Sequence, residues 1–138
     1  MNTLRKLLVL CTAFAGASSA WAHHSFAMFD LEKQQTVEGT VKEFQWTNPH
    51  CWLQVMVPDG TGGAKEWSFE MGAMGMLART GWKSTTLKPN DKVTVVMNPL
   101  KSGAPSGRLL KVTLPDGSVM GPGGNAPPLE PDARSRPE

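Results

Sequence analysis

The sequence contains little cysteine and has none of the motifs that commonly identify an enzyme. Only two cysteines, Cys11 and Cys51, occur among its 138 residues. It has no nucleophile elbow, no phosphate-binding loop and no Cys/His framework of the kind that binds zinc. These absences exclude a disulfide-rich scaffold and several large catalytic classes. They predict a protein that is not an enzyme.

Long hydrophobic runs are also missing, apart from one near the start. Arg5 and Lys6 precede an apolar stretch over residues 7–17, and Ala20-Trp21-Ala22 supplies a small-x-small cleavage site. A membrane anchor would need about 20 apolar residues, which this stretch does not reach. We therefore expect residues 1–22 to be a cleavable signal peptide. The mature protein would begin at His23, in the periplasm or secreted, with no membrane span after processing.

Removal of this leader leaves a chain without charge excess. The leader holds two of the 14 basic residues and none of the 12 acidic ones, so the mature chain has 12 of each. Without a basic surface, nucleic acid is not expected as a partner. Cys51 becomes the sole cysteine, so no internal disulfide can form. We expect a monomer or weak oligomer. Cys51 belongs to the inward set of an alternating strand, so we expect its thiol to be buried.

The pattern of the remaining chain predicts an all-β domain with one short helix. Apolar residues alternate along five segments, with a short helix over residues 73–80 that ends at Gly81. The expected strands, in chain order, cover residues 37–46, 51–57, 66–71, 92–97 and 108–114. The order β1-β2-β3-α-β4-β5 is that of an OB-like five-stranded small barrel. A β-sandwich is the alternative, but it would need about seven strands.

Proline and glycine are concentrated at the C-terminal end. The stretch from Gly117 to Glu138 holds five prolines and four glycines, with Val119, Met120 and Leu129 as its sizeable apolar residues. So little apolar surface does not offset the entropy of ordering a chain. We therefore expect an OB-like domain over residues 23–116 and a flexible tail over residues 117–138.

The three histidines are His23, His24 and His50, and all belong to the mature chain. Cleavage after Ala22 would give His23 a free α-amine beside its imidazole, and the amine and Nδ1 can chelate one metal ion. His50 could supply a third nitrogen, and a tetragonal set of nitrogens suits Cu(II). The alternative is that His23 and His24 are solvated residues of a frayed terminus and that His50 is structural.

This predicted set resembles the histidine brace of lytic polysaccharide monooxygenases and of CopC-type copper carriers. The resemblance rests on the terminal histidine and one distant histidine, and those proteins are immunoglobulin-like sandwiches. It implies copper binding rather than monooxygenase activity. His24 and Met74 are candidate additional ligands, because thioethers favour Cu(I). Met74 could instead pack the helix onto the barrel.

A second hypothesis needs no metal. With Leu53 facing inward, Trp52 and Gln54 face outward, and an exposed tryptophan can stack on a sugar or a protein partner. The chain would then be an adaptor that binds a protein or glycan through the outer face of strands two and three.

Several segments together resemble a known family. They are His23-His24-Ser25-Phe26 after the leader, Trp46-Thr47-Asn48-Pro49-His50, Gly81-Trp82, Asn98-Pro99-Leu100 and Thr113-Leu114-Pro115-Asp116-Gly117. They resemble a domain of unknown function found in small exported proteins of Gram-negative bacteria. The resemblance implies a periplasmic location and brings no established activity. Cys51 and the segment from Met71 to Met74 depart from the family pattern, so methionine or thiol chemistry is not implied for the family.

Overall fold

The computed structural model describes residues 24–127 as a β-barrel with short additions at both ends. The predicted signal peptide and His23 lie outside these residues, as does the predicted tail from residue 128 onward. The elements, in chain order, are α1 His24–Ala27, β1 Gln35–Gln45, β2 Trp52–Pro58, β3 Ala64–Glu70, α2 Met74–Arg79, β4 Lys92–Pro99, β5 Ser106–Thr113, β6 Val119–Gly121 and β7 Gly124–Asn125. No helix among them is long and apolar enough to cross a membrane.

Five strands close into the predicted barrel. The sheet order is β3-β2-β1-β4-β5, and β3 also pairs with β5 in parallel. Ser106 reinforces this closure, because its hydroxyl donates to the Ser68 carbonyl at 2.7 Å. Because the barrel is closed, each of the five strands pairs on both sides along at least part of its length. Both the fold class and the position of α2 between β3 and β4 are confirmed, and α1, β6 and β7 are additions.

The long first strand changes the side that faces the core at a bulge. Its pairing with β2 shifts between Val41 and Glu43, so one extra residue lies opposite β2. Val41 is buried before the bulge, and Phe44 packs against the core after it. Gly39 is needed where β1 approaches β2, because a Cβ there would lie 2.4 Å from the Met56 carbonyl oxygen. The apolar side of this strand therefore switches at the bulge.

The core follows the predicted alternation of β2 and the apolar side of α2. Cys51, Leu53 and Val55 are fully buried, as is Leu77 of the helix. The Cys51 thiol is near the Thr47 carbonyl, and burial raises its pKa. Such a thiol is a poor nucleophile and a poor metal ligand, which agrees with the expected buried cysteine.

The helix α2 ends at Arg79, and the predicted Gly81 follows its cap residue Thr80. Gly81 has a positive φ of 95°, a conformation that glycine adopts without strain. The chain then turns back, and the Trp82 amide donates to the Leu77 carbonyl at 3.1 Å. This turn buries the Trp82 ring, which is 1% exposed, and its Nε1–H donates to the Gly121 carbonyl at 2.8 Å.

The predicted domain boundary at Gly117 needs correction, because the following residues are part of the folded domain. Strand β6 pairs with β5, and β7 pairs with β6. Val119 and Met120 are 6% and 7% exposed. Composition predicted a tail because this segment has few apolar side chains. Main-chain pairing and burial against the barrel are nevertheless sufficient to order Val119 and Met120. The described domain therefore extends to residue 127.

Candidate functional site

A row of four residues crosses the outside of the barrel. The strand registers pair Trp52 with Glu70, Glu70 with Arg108, and Arg108 with Asn98. Their chain neighbours Leu53, Phe69, Leu109 and Met97 are fully buried, so the four face away from the core. We call Trp52, Glu70, Arg108 and Asn98 the outer row. Neighbouring strands are about 4.8 Å apart, so the row spans roughly 14 Å.

The N-terminal segment, residues 24–33, lies across this row. Asn98 is buried beneath it and donates its amide to the Lys33 carbonyl at 2.8 Å. Lys101 donates its backbone amide to the Met28 carbonyl at 2.9 Å. Further toward the N-terminus, the Phe26 ring lies 4.6 Å from the Arg108 guanidinium carbon, a cation–π contact. From residue 33 toward residue 26, the segment thus passes first over Asn98 and then over Arg108. The next position in the outer row is Glu70.

His50 joins this face through Glu70. The His50 Nδ1 contacts the Glu70 Oε1, with side chains that are 38% and 12% exposed. The backbone around His50 is held on both sides, since Thr47 donates to the His50 carbonyl and the Cys51 amide donates to the Gly72 carbonyl. The ring is therefore oriented by a mostly buried carboxylate while more than a third of its surface stays open.

The two acids of β3 have different partners. Glu66 accepts from the Lys42 ammonium at 2.5 Å, and both of these side chains are about half exposed. Glu70 contacts His50 instead. From sequence, the two glutamates are equivalent residues on one strand face, and Glu70 was not predicted as a site residue. The register of the β2–β3 hairpin was the signal that could have found it, because it brings the end of β3 next to the start of β2.

The other predicted site residues have these positions. His24 lies in α1 on the N-terminal segment, and His23 lies outside the described residues. Met74 begins α2 and packs against the core, as its alternative role requires. Trp52 and Gln54 are half-buried and face outward on β2.

Within residues 24–127, no three His, Cys, Asp or Glu side chains are grouped to hold a metal ion. The predicted copper set includes His23 and therefore is not tested by the described residues.

Two depressions on the described surface are not lined by His50. An open depression of about 760 Å³ lies where β1, β4 and β5 meet, and its lining includes Glu38, Asp91 and Lys92. The N-terminal segment exposes Phe26, Met28 and Leu31, each about half accessible. A second depression, of about 460 Å³, adjoins Phe26 and Leu31. Among the predicted site residues whose side chains the structure describes, His50, Trp52, Gln54 and Met74 do not line either depression.

The comparison with family models gives a match over residues 10–109, to a family of unknown function, DUF6152. The chain belongs to this family. The match begins within the predicted leader and covers β1 to β4 and the first part of β5. No curated protein and no solved structure shows significant similarity to the chain.

Proposed function

We propose that this DUF6152 protein is exported and binds copper at its mature N-terminus, as a carrier or sensor in the periplasm. Signal cleavage after Ala22 would give the ion the α-amine and Nδ1 of His23, and His50 would provide the third nitrogen. His24 and Met74 are possible further ligands. The role is binding rather than catalysis, and an exported family of Gram-negative proteins marked by the HHSF and TNPH segments is part of the same proposal.

The observation that carries this proposal is the direction of the N-terminal segment. Phe26 lies on Arg108, and the next positions across the barrel are Glu70 and then the start of β2, where His50 lies. From β5 across β3 to β2 the distance is roughly 10 Å. The three residues from Phe26 back to His23 span up to about 10 Å if extended and about 4.5 Å if helical. Residues 24–27 form the helix α1, so the helical value applies, and the side chains of His23 and His50 would have to span the remaining roughly 5 Å.

The character of His50 also supports the proposal. Metal-binding histidines commonly have a carboxylate on the other ring nitrogen, which fixes the ring. His50 has this partner in Glu70, and its side chain is 38% exposed. Histidine and amine nitrogens in a tetragonal set favour Cu(II) over other common divalent ions.

Copper binding is tested with protein exported to the periplasm and purified there. Intact mass should show a chain that starts at His23. Apo protein should bind about one Cu(II) with a nitrogen-rich tetragonal electron paramagnetic resonance spectrum. His50→Ala, and one alanine inserted before His23, should each weaken binding while circular dichroism stays unchanged.

His24→Ala is the matched control for these variants, because it removes an adjacent histidine that the three-nitrogen set does not require. It should bind copper nearly as well as the unchanged chain. Equal binding by the His50→Ala variant, or a mature chain that starts at another residue, would contradict the proposal.

A second candidate function is supported by the same face. Trp52 is the outward residue beside Glu70, and Phe26, Met28 and Leu31 are exposed on the N-terminal segment. A face with aromatic and apolar side chains suits a protein or glycan partner. In this adaptor function Trp52→Ala and Gln54→Ala should abolish partner capture, whereas His50→Ala should not. Copper binding that depends on His50 favours the first function.

A further inference from the structure

The contact between His50 and Glu70 decides which ring nitrogen of His50 is available. The Glu70 Oε1 contacts the Nδ1 of His50, and the Glu70 side chain is only 12% exposed. An ionised carboxylate has acceptors and no donor, so a carboxylate at this position favours the ring form that carries a proton on Nδ1. A neutral imidazole carries one proton and one lone pair. In the neutral form that the carboxylate favours, the lone pair of His50 would be on Nε2.

Glu70 is held in position by the barrel. It ends β3 between β2 and β5, in register with Trp52 on one side and Arg108 on the other. The Arg108 guanidinium lies over the Phe26 ring. A carboxylate fixed at this point restricts rotation of the His50 ring, because a flipped ring would place a carbon atom against Oε1.

We propose that Glu70 is a positioning residue that fixes His50 as the Nδ1–H tautomer and presents Nε2 as the metal donor. This inference rests on the proposed copper function and adds the donor atom and the residue that selects it. A carboxylate on the remote nitrogen also makes the coordinating nitrogen more basic, and loss of such a partner commonly costs about 10- to 100-fold in metal affinity.

The first test needs no metal. Long-range ¹H–¹⁵N correlation spectra of apo protein, recorded with the ring neutral, report which nitrogen carries the proton. The unchanged chain should show His50 as Nδ1–H. Glu70→Ala should convert much of it to the Nε2–H tautomer, which is the more common form of a free imidazole. Nε2–H in the unchanged chain, or no change in the Glu70→Ala variant, would overturn the inference.

The second test measures Cu(II) affinity by competition with a chelator. Glu70→Ala should bind about 10- to 100-fold more weakly. Glu66→Ala is the matched control, because it removes an acid from the same face of β3, and it should change neither affinity nor tautomer. Equal affinity of Glu70→Ala and the unchanged chain would overturn the inference.

Glu70→Gln guards against a variant that fails to fold. Its amide oxygen can still accept from Nδ1–H, so it should keep the tautomer and lose part of the affinity. If the unchanged chain shows the Nδ1–H tautomer but its copper binding does not depend on His50, the proposed function fails. The metal role of Glu70 then fails with it, although its effect on the ring stands. If binding depends on His50 and not on Glu70, only the inference fails.

Discussion

The two ends of the described chain attach to the barrel in different ways. The N-terminal segment, residues 24–33, leaves Phe26, Met28 and Leu31 about half exposed. It is held by backbone hydrogen bonds and by the contact of Phe26 with Arg108. The C-terminal segment, residues 117–127, buries Val119 and Met120 and adds two strands to the sheet.

This difference leads us to expect a structural role for the C-terminal segment and a binding role for the N-terminal segment. Burial of apolar side chains is the main contribution to folding free energy, so the C-terminal segment stabilises the domain. The N-terminal segment contributes Phe29 to the buried set but keeps three apolar side chains at the surface. Side chains that remain exposed on an ordered segment are available for binding.

The largest expected effect comes from a comparison of Met120 in the C-terminal segment with Met28 in the N-terminal segment. Met120→Ala should lower the free energy of unfolding by about 2–5 kcal/mol, because it removes a buried side chain and leaves a cavity. Met28→Ala, at a position 52% exposed, should change it by less than about 0.5 kcal/mol. Chemical denaturation followed by tryptophan fluorescence measures both. Similar losses for the two variants would remove the contrast between the segments.

A smaller loss is expected at Trp82, which connects the C-terminal segment to the end of α2. Trp82→Phe removes the donor to the Gly121 carbonyl and leaves a buried acceptor without its partner. We expect a loss of about 1–3 kcal/mol in the free energy of unfolding. Hydrogen exchange of the β6 amides should become faster as well. Unchanged exchange there would mean that pairing with β5 alone orders the segment.

The N-terminal segment should affect copper binding more than stability. Phe26→Ala removes the cation–π contact with Arg108, which at an exposed site is worth about 0.5–1 kcal/mol. We expect Cu(II) affinity to fall about two- to fivefold. The unfolding free energy should stay nearly unchanged. Leu31→Ala, on the same segment, is the control and should leave affinity unaltered. A stability loss without an affinity loss would assign Phe26 a purely structural role.

The smallest effect concerns two carboxyl groups, Asp30 in the N-terminal segment and Asp116 directly before the C-terminal segment. A hydrogen bond from Lys33 holds the pKa of Asp30 below its ordinary value, and bonds from Ser118 do the same for the pKa of Asp116. Both shifts favour the ionised form in the folded state. Each group's contribution to stability is therefore present above its unfolded pKa and is lost as pH falls through the folded pKa.

Salt should separate these two groups. The partner of Asp30 is charged and exposed, so high salt should raise the pKa of Asp30 toward its ordinary value. The partners of Asp116 are neutral, so the pKa of Asp116 should hardly move. Carboxyl ¹³C titrations at low and high salt measure both. An equal response would show that Lys33 does not act through its charge.

Local patterns predicted the elements of this protein well. The alternation of Leu53 and Val55 and the helix that is followed by Gly81 are visible in short windows of sequence. Their physical causes, side-chain periodicity and the positive φ of glycine, act within a few residues. The five-strand order with a helix before the fourth strand was sufficient to select the barrel over the sandwich.

The candidate site could be predicted only in part. His50 was identified as a candidate because it is the one histidine distant from the predicted N-terminus. Glu70 was missed because its contact with His50 depends on the β2–β3 register and on a strand end where His50 and Glu70 are 20 positions apart in sequence. Likewise, composition could not show that Val119 and Met120 find partners on β5 and in the core.

The sequence by itself thus determined the five barrel strands, the helix α2 and the fold class, since these follow from periodicity and turn residues. It also determined which residues could bind copper, because few residue types can. Only the tertiary structure decided that β3 meets β5, that the N-terminal segment lies on Arg108, and that Glu70 contacts His50. These pairings join residues far apart in the chain, and closure of the barrel sets their distances.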